Sequence, residues 1–167
     1  PITGEIAGSI TTSGTWTGTV TLTADATVES GVTIHVAPGT AFAARMGATL
    51  RVKGTLLVEG TAATPVTMTP TTDAQTWAGI VVDAGGAATI THATGDHAAT
   101  LLYCHAGAVT CVLDHVTWSD VGNALVAEDD ASILSSRLSK MSNGGISMTA
   151  GTVTIRDSYI LTSTGDL

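Results

Sequence analysis

The sequence predicts an all-β chain wound as a parallel β-helix, a β-solenoid of about seven rungs of about 22 residues each. Three observations predict it. Inside short runs such as PVTMT, AATIT and TVTI, apolar residues alternate with Thr, Ser or Ala, the period of a strand. Gly, Pro and Asn separate these runs and supply corners. The pattern then returns at a step of about 22 residues over most of the chain, the mark of a stacked repeat.

Residues 1–15, PITGEIAGSITTSGT, lie off the repeat and are read as a lead-in strand, a cap or a tail. Residues 16–167 form one β-helix domain. From Val36 the repeat step leads to Val58, Ile80, Leu102, Ala124 and Ile146. A second series runs Leu22, Ala44, Val66 and Ala88, then slips by a single place to Val109, Ala131 and Val153. Further series are Ala24, Met46, Met68, Ile90, Cys111, Ile133, Ile155 and Val28, Leu50, Thr72, Thr94, Val116, Leu138, Ile160. Three short strands per turn place each residue about 4.8 Å above its equivalent in the turn below.

Composition narrows the function. Six Lys and Arg stand against fourteen Asp and Glu, a net charge of −8. Six cations do not build a phosphate-neutralising stripe, so nucleic acid is excluded as a partner, and so is an anionic membrane surface. No apolar run reaches the roughly 18 residues a membrane-spanning helix needs. The low Lys content and high Thr and Gly content point to a secreted or cell-surface protein. A start at Pro1, without Met, reads as a processed or trimmed piece. Cys104 and Cys111 both fall at inward positions, on either side of Gly107. They form either a disulfide across that corner or two buried free thiols.

The stretch 28–69, from VESGVTIHVAPGT through GTLLVEGTAATPVTMT, resembles the first rungs of secreted bacterial right-handed parallel β-helix proteins of the pectate-lyase-like superfamily. Trp77-Ala78-Gly79-Ile80 resembles the WxGI element of those proteins. DHVTWSDVGNAL, SSRLSKMSNGGI and DSYILTSTGDL resemble their later, looser repeats. The resemblance implies the right-handed fold. It leaves function open among lyases, hydrolases and adhesins, with a non-enzymatic member expected.

Enzymes of that class carry long corner loops and stacked acids. The near-constant step leaves no room for such a loop, so no deep cleft is expected. The fragments GDH (95–97) and EDD (128–130) are not followed by the remaining elements of a polygalacturonase-like site, and no carboxylate column supplies a calcium-dependent lyase. No catalytic residue, cofactor or metal centre is therefore predicted. The nearest to a metal pair are His92 and Asp114, one repeat step apart, alongside Asp83 and His105 at the same spacing. They are read as corner residues that pair on a solvated edge, because a metal site needs a third convergent group.

A candidate binding strip lies on the later rungs. His115, Arg137 and Tyr159 share one outward series, and Trp118 and Lys140 the next. Aromatic and basic groups on a flat face stack sugar rings and bond hydroxyls. An outward series Thr23, Arg45, Thr67, Thr89, Thr110, Ser132, Thr154 raises a third possibility, an ice-binding face, although Arg45 interrupts it. The leading expectation is an extracellular or cell-surface structural or adhesive module that self-associates through the open ends of its β-helix. A carbohydrate-binding or carbohydrate-active solenoid with a polysaccharide partner is the alternative.

Overall fold

In the computed structural model, residues 1–72 and 75–162 are described, and among them every strand pairing is parallel and no helix occurs. The chain is a β-solenoid with three faces. Face I takes the start of the long strand Gly14–Val28 and then Thr33–Val36, Thr55–Glu59, Ala87–Thr91, Thr110–Asp114, Ala131–Leu134 and Val153–Arg156. Face II takes the middle of that strand, Ala41–Ala44, Val66–Pro70, Ala93–Asp96, Thr117–Ser119, the start of Arg137–Met148, and Tyr159–Thr162. Face III takes its end, Thr49–Val52, Trp77–Val82, Ala98–Cys104, Val121–Ala127 and the end of Arg137–Met148.

Each face stacks inward columns, and one on each runs from coil to coil, apolar throughout except for a single glycine. On face I it is Trp16, Val36, Val58, Ile90, Leu113, Ile133 and Ile155, seven coils in all. On face II it is Val20, Phe42, Met68, Gly95, Trp118, Leu138 and Ile160. On face III it is Ala26, Leu50, Ile80, Leu102, Leu125 and Ile146. Between Trp16 and Ile133 the face I column is no more than 1% exposed, and each such Val, Leu or Ile contributes about 1.5–3 kcal/mol on burial.

The repeating coil stands, but its constant phase does not. Along the face I column the steps are unequal, and the step from Val58 to Ile90 is by far the longest. Ile90, not Ile80, lies over Val58, and Ile80 lies over Leu50 on face III. Leu125, not Ala124, lies over Leu102. The long coil carries its extra residues between Glu59 and Val66 and between Pro70 and Trp77, where the sequence left no room for them. The physical reason is that a coil has three inward strands. An insertion close to one strand-to-strand spacing carries the count from one face to the next, where it lands on another apolar residue. The first excursion is small and closed: the Thr64 amide donates to Thr61 Oγ1 at 3.0 Å, and the Gly39 amide donates to the Thr64 carbonyl.

Strand Ile2–Ile10 runs over Gly14–Val28 on all three faces, pairing Ile2 with Trp16, Ile6 with Leu22 and Ile10 with Val28. It compresses a coil into nine residues by turning at Gly4 and Gly8, both at positive φ. Its Ile side chains close the apolar interior at that end, with Ile6 buried and Ile2 and Ile10 packed against the core. Directly beneath, Trp16 stacks on Phe42 (centroids 6.0 Å, 12°), and Phe42 tilts against Trp77 (5.8 Å, 57°). One aromatic from each face thus fills the cross-section of the early coils.

Candidate functional site: face II and its two corners

The corners of the later coils are built unusually. Among the described residues, seven residues other than glycine have positive φ, and all lie between His92 and Asp157. His92, His115, Ser135 and Asp157 turn the chain from face I to face II, and His97, Asp120 and Lys140 turn it from face II to face III. A left-handed residue reverses the chain in a single step, with the side chain held outward. Asn, Asp and His accept this conformation better than most residues. Two ladders of polar side chains therefore rim face II.

Between the ladders, face II is flat and rich in hydroxyls. One outward column reads Thr19, Ala41, Thr67, Thr94, Thr117, Arg137, Tyr159. Beside it run Thr21, Ala43 and Thr69, then Asp96 and Ser119. Thr67, Thr69, Thr94, Asp96, Thr117, Ser119 and Ser139 line one open groove, and His97, Asp120, Lys140 and Ser142 line another at the face II–face III corner. The Arg137 guanidinium lies 4.7 Å above the Tyr159 ring.

The expected strip is partly assembled and partly rearranged. Arg137 and Tyr159 are neighbours on the outer surface, as the spacing predicts. His115 is not in their column: Thr117 is paired with Arg137, and His115 sits at the corner before it. Trp118 is not on the surface. It points inward with 0% exposure, in the column of Leu138 rather than beside Lys140, and its Nε1 has no hydrogen-bond partner among the described residues. Its ring occupies the space left by Gly95 one coil below, where an added Cβ would stand 2.5 Å from the indole and 2.1 Å from the Met68 carbonyl oxygen. Lys140 reaches Asp120 at 3.4 Å.

The pairing of His92 with Asp114 is also corrected. Asp114 pairs laterally with Thr91, and the His92 amide donates to the Asp114 carbonyl at 3.0 Å. The ring of His92 meets the ring of His115 instead, at 4.4 Å between centroids, while Asp114 Oδ1 holds His115 Nδ1 at 2.7 Å. The Thr series divides likewise: Thr67 stacks on Thr94 of face II, and Thr89 stacks on Val112 of face I. Among the described residues, no group of three His, Cys, Asp or Glu is arranged to hold a metal.

The third corner, from face III to face I, is a ladder of opposite charges. Lys53 approaches Glu29 at 3.6 Å, and Arg51 grips Asp83 through Nε and Nη2 at 2.9 and 3.0 Å. Asp83 does stack beneath His105, but the His105 ring turns the other way, to Glu128 at 3.2 Å. Tyr103 donates to Glu128 at 2.6 Å, and the Ala106 amide donates at 3.2 Å. The Tyr103 bond, then His105, then the Ala106 amide hold the Glu128 carboxyl below its ordinary value. Amides of Gly107 and Asp130 do the same for Asp129. The bond to Glu128, then burial, then the Glu128 charge push the Tyr103 phenol up. Inside this corner, Cys104 and Cys111 form a disulfide with Cα atoms 6.4 Å apart, both side chains buried. A carboxylate held by three donors, beside a buried disulfide, locks a turn.

The left-handed corners were missed in the sequence, although a signal was present. The units ITHA (90–93), LDHV (113–116), ILSS (133–136) and IRDS (155–158) align as an apolar residue, a spacer, the corner residue and a small or apolar residue. Aligning them yields the true coil steps, from Ile90 to Leu113 to Ile133 to Ile155. In the last two units the small residue is a Ser that ties coils together: Ser136 Oγ accepts from the Val116 amide, and Ser158 Oγ from the Ser136 amide.

The chain matches no family model, no curated protein and no solved structure. Fold and site together define a class: a parallel β-solenoid with one flat, hydroxyl-bearing face between two polar corner ladders.

Proposed function

We propose that this chain is an exported, cell-surface adhesive module that binds a polysaccharide on face II. The single observation that carries the reading is the rimmed array itself: rigid hydroxyls at the coil spacing, flanked by charged corners and ending on the Arg137–Tyr159 pair. An extended glycan laid along the solenoid axis meets a repeating set of donors and acceptors there, with little ordering entropy lost by the protein. The disulfide supports an oxidising, exported setting, and the resemblance to secreted bacterial β-helix proteins supports the same. An adhesive role is favoured over a hydrolytic one because two of the acids near face II are held by neighbours, Asp114 by His115 and Asp120 by Lys140.

The test is binding to a panel of soluble and insoluble polysaccharides by affinity electrophoresis and pull-down. The pair Thr94→Val and Thr117→Val, and separately Arg137→Ala, are expected to weaken binding about five- to tenfold each, the value of one or two polar contacts. Retention unchanged by both, or no glycan bound, would reject the reading.

A second reading rests on a separate observation. Ile155 is 46% exposed, while Leu113 and Ile133 below it in the same column are fully buried. Association of this apolar coil with another copy would make the module a structural repeat. Sedimentation of the chain across a concentration series, with an Ile155→Asp control, reads that directly.

A further inference from the structure

We infer that His92 and His115 form a two-histidine site for a divalent ion of the copper–zinc class, at the corner between faces I and II. This goes beyond glycan binding and does not depend on it. Three features carry it. The two residues occupy the same corner position in successive coils, both left-handed (φ 46° and 53°), with the His92 amide bonded to the Asp114 carbonyl. The backbone therefore presents both imidazoles in register, and the ring centroids stand 4.4 Å apart with planes at 33°. Second, Asp114 Oδ1 lies 2.7 Å from His115 Nδ1. A carboxylate only accepts, so Nδ1 is the donor in this contact, and Nε2 is the nitrogen left for a metal. This is the carboxylate–histidine arrangement that fixes the orientation of a ring for metal. Third, the site is accessible: the His115 side chain is 49% exposed, and His92 is partly exposed.

Two imidazoles with no third protein ligand leave coordination positions for water or an incoming oxygen ligand. Such a set favours Cu²⁺ over Zn²⁺ and Ni²⁺, and gives it little hold on Ca²⁺ or Mg²⁺. It also differs from a closed structural zinc site, which holds four protein ligands.

The experiment is calorimetric titration of the tag-free, chelator-treated full chain with copper chloride and with zinc chloride. His92→Asn and His115→Asn are the test variants, because Asn tolerates the left-handed backbone and keeps the corner. One equivalent of Cu²⁺ is expected, weakened at least tenfold in either variant and about tenfold in Asp114→Ala, while His35→Asn leaves it unchanged. Copper spin resonance on the unaltered protein, with two coupled nitrogens expected, provides a reading that needs no variant to fold. Saturable binding that survives both His substitutions, a spectrum with fewer than two nitrogens, or no saturable binding would overturn the site.

Discussion

The early and late coils solve the same problem in different ways. Among the described residues before Ile90, every residue at positive φ is a glycine, as at Gly31, Gly39, Gly47 and Gly85. From His92 onward, His, Ser, Asp and Lys take on such corners as well. The interiors differ in the same sense. The early coils are filled by Trp16, Phe42 and Trp77, one from each face, whereas the later ones rely mainly on aliphatic columns and one Trp. A glycine corner turns without strain and shows nothing to solvent. A side chain in the left-handed region costs about 1–2 kcal/mol and puts a functional group at a fixed place on the rim. The difference teaches where stability and recognition reside: the early coils anchor the rod, and the later coils present it.

The largest expected effect tests the anchor. Trp77→Ala or Phe42→Ala removes one side of the aromatic cross-section and is expected to cost about 3–5 kcal/mol in urea unfolding. If Leu138→Ala in the late coils cost as much, the proposed division of labour would fail. A middle effect tests the corners. Gly31 has open space around it and φ of 80°, so Gly31→Ala adds strain without a clash and is expected to cost about 1 kcal/mol or slightly more. Ser135→Gly, in the late ladder, relieves strain but loosens the unfolded chain, and the two offset to within about 0.5 kcal/mol. A large loss at Ser135→Gly would show that the side chain itself holds the corner, and the contrast would break.

The smallest effect sharpens the comparison through pH. Glu128 and Asp129 have depressed values in the folded state. Their contribution is fully present above the ordinary carboxylate range and is lost as pH falls through the depressed values. Tyr103 is shifted upward, so its contribution is present below the ordinary phenol value and lost as pH rises through the raised one. Glu128→Gln is therefore expected to flatten both limbs of a stability–pH profile measured by thermal melting. A profile identical to that of the unaltered chain would mean the charge ladder at this corner adds nothing.

Sequence alone determined the solenoid, because a strand period nested inside a longer, regular repeat has few other solutions. It placed Arg137 beside Tyr159, put Cys104 and Cys111 inside, and kept nucleic acid and membrane helices off the list of expectations. The last residues of the DSYILTSTGDL repeat, 163–167, lie outside the described residues. Tertiary structure alone decided the register beyond Val58, since an insertion in a three-sided coil moves one apolar face onto the next without a trace in the hydropathy. With the register came everything at the surface: Trp118 turned inward over Gly95, His92 set against His115, and the Thr columns divided between faces I and II. Side-chain direction in a strand depends on counting correctly to the nearest residue. A periodic pattern read along the chain is blind to an excursion that adds nearly a whole side.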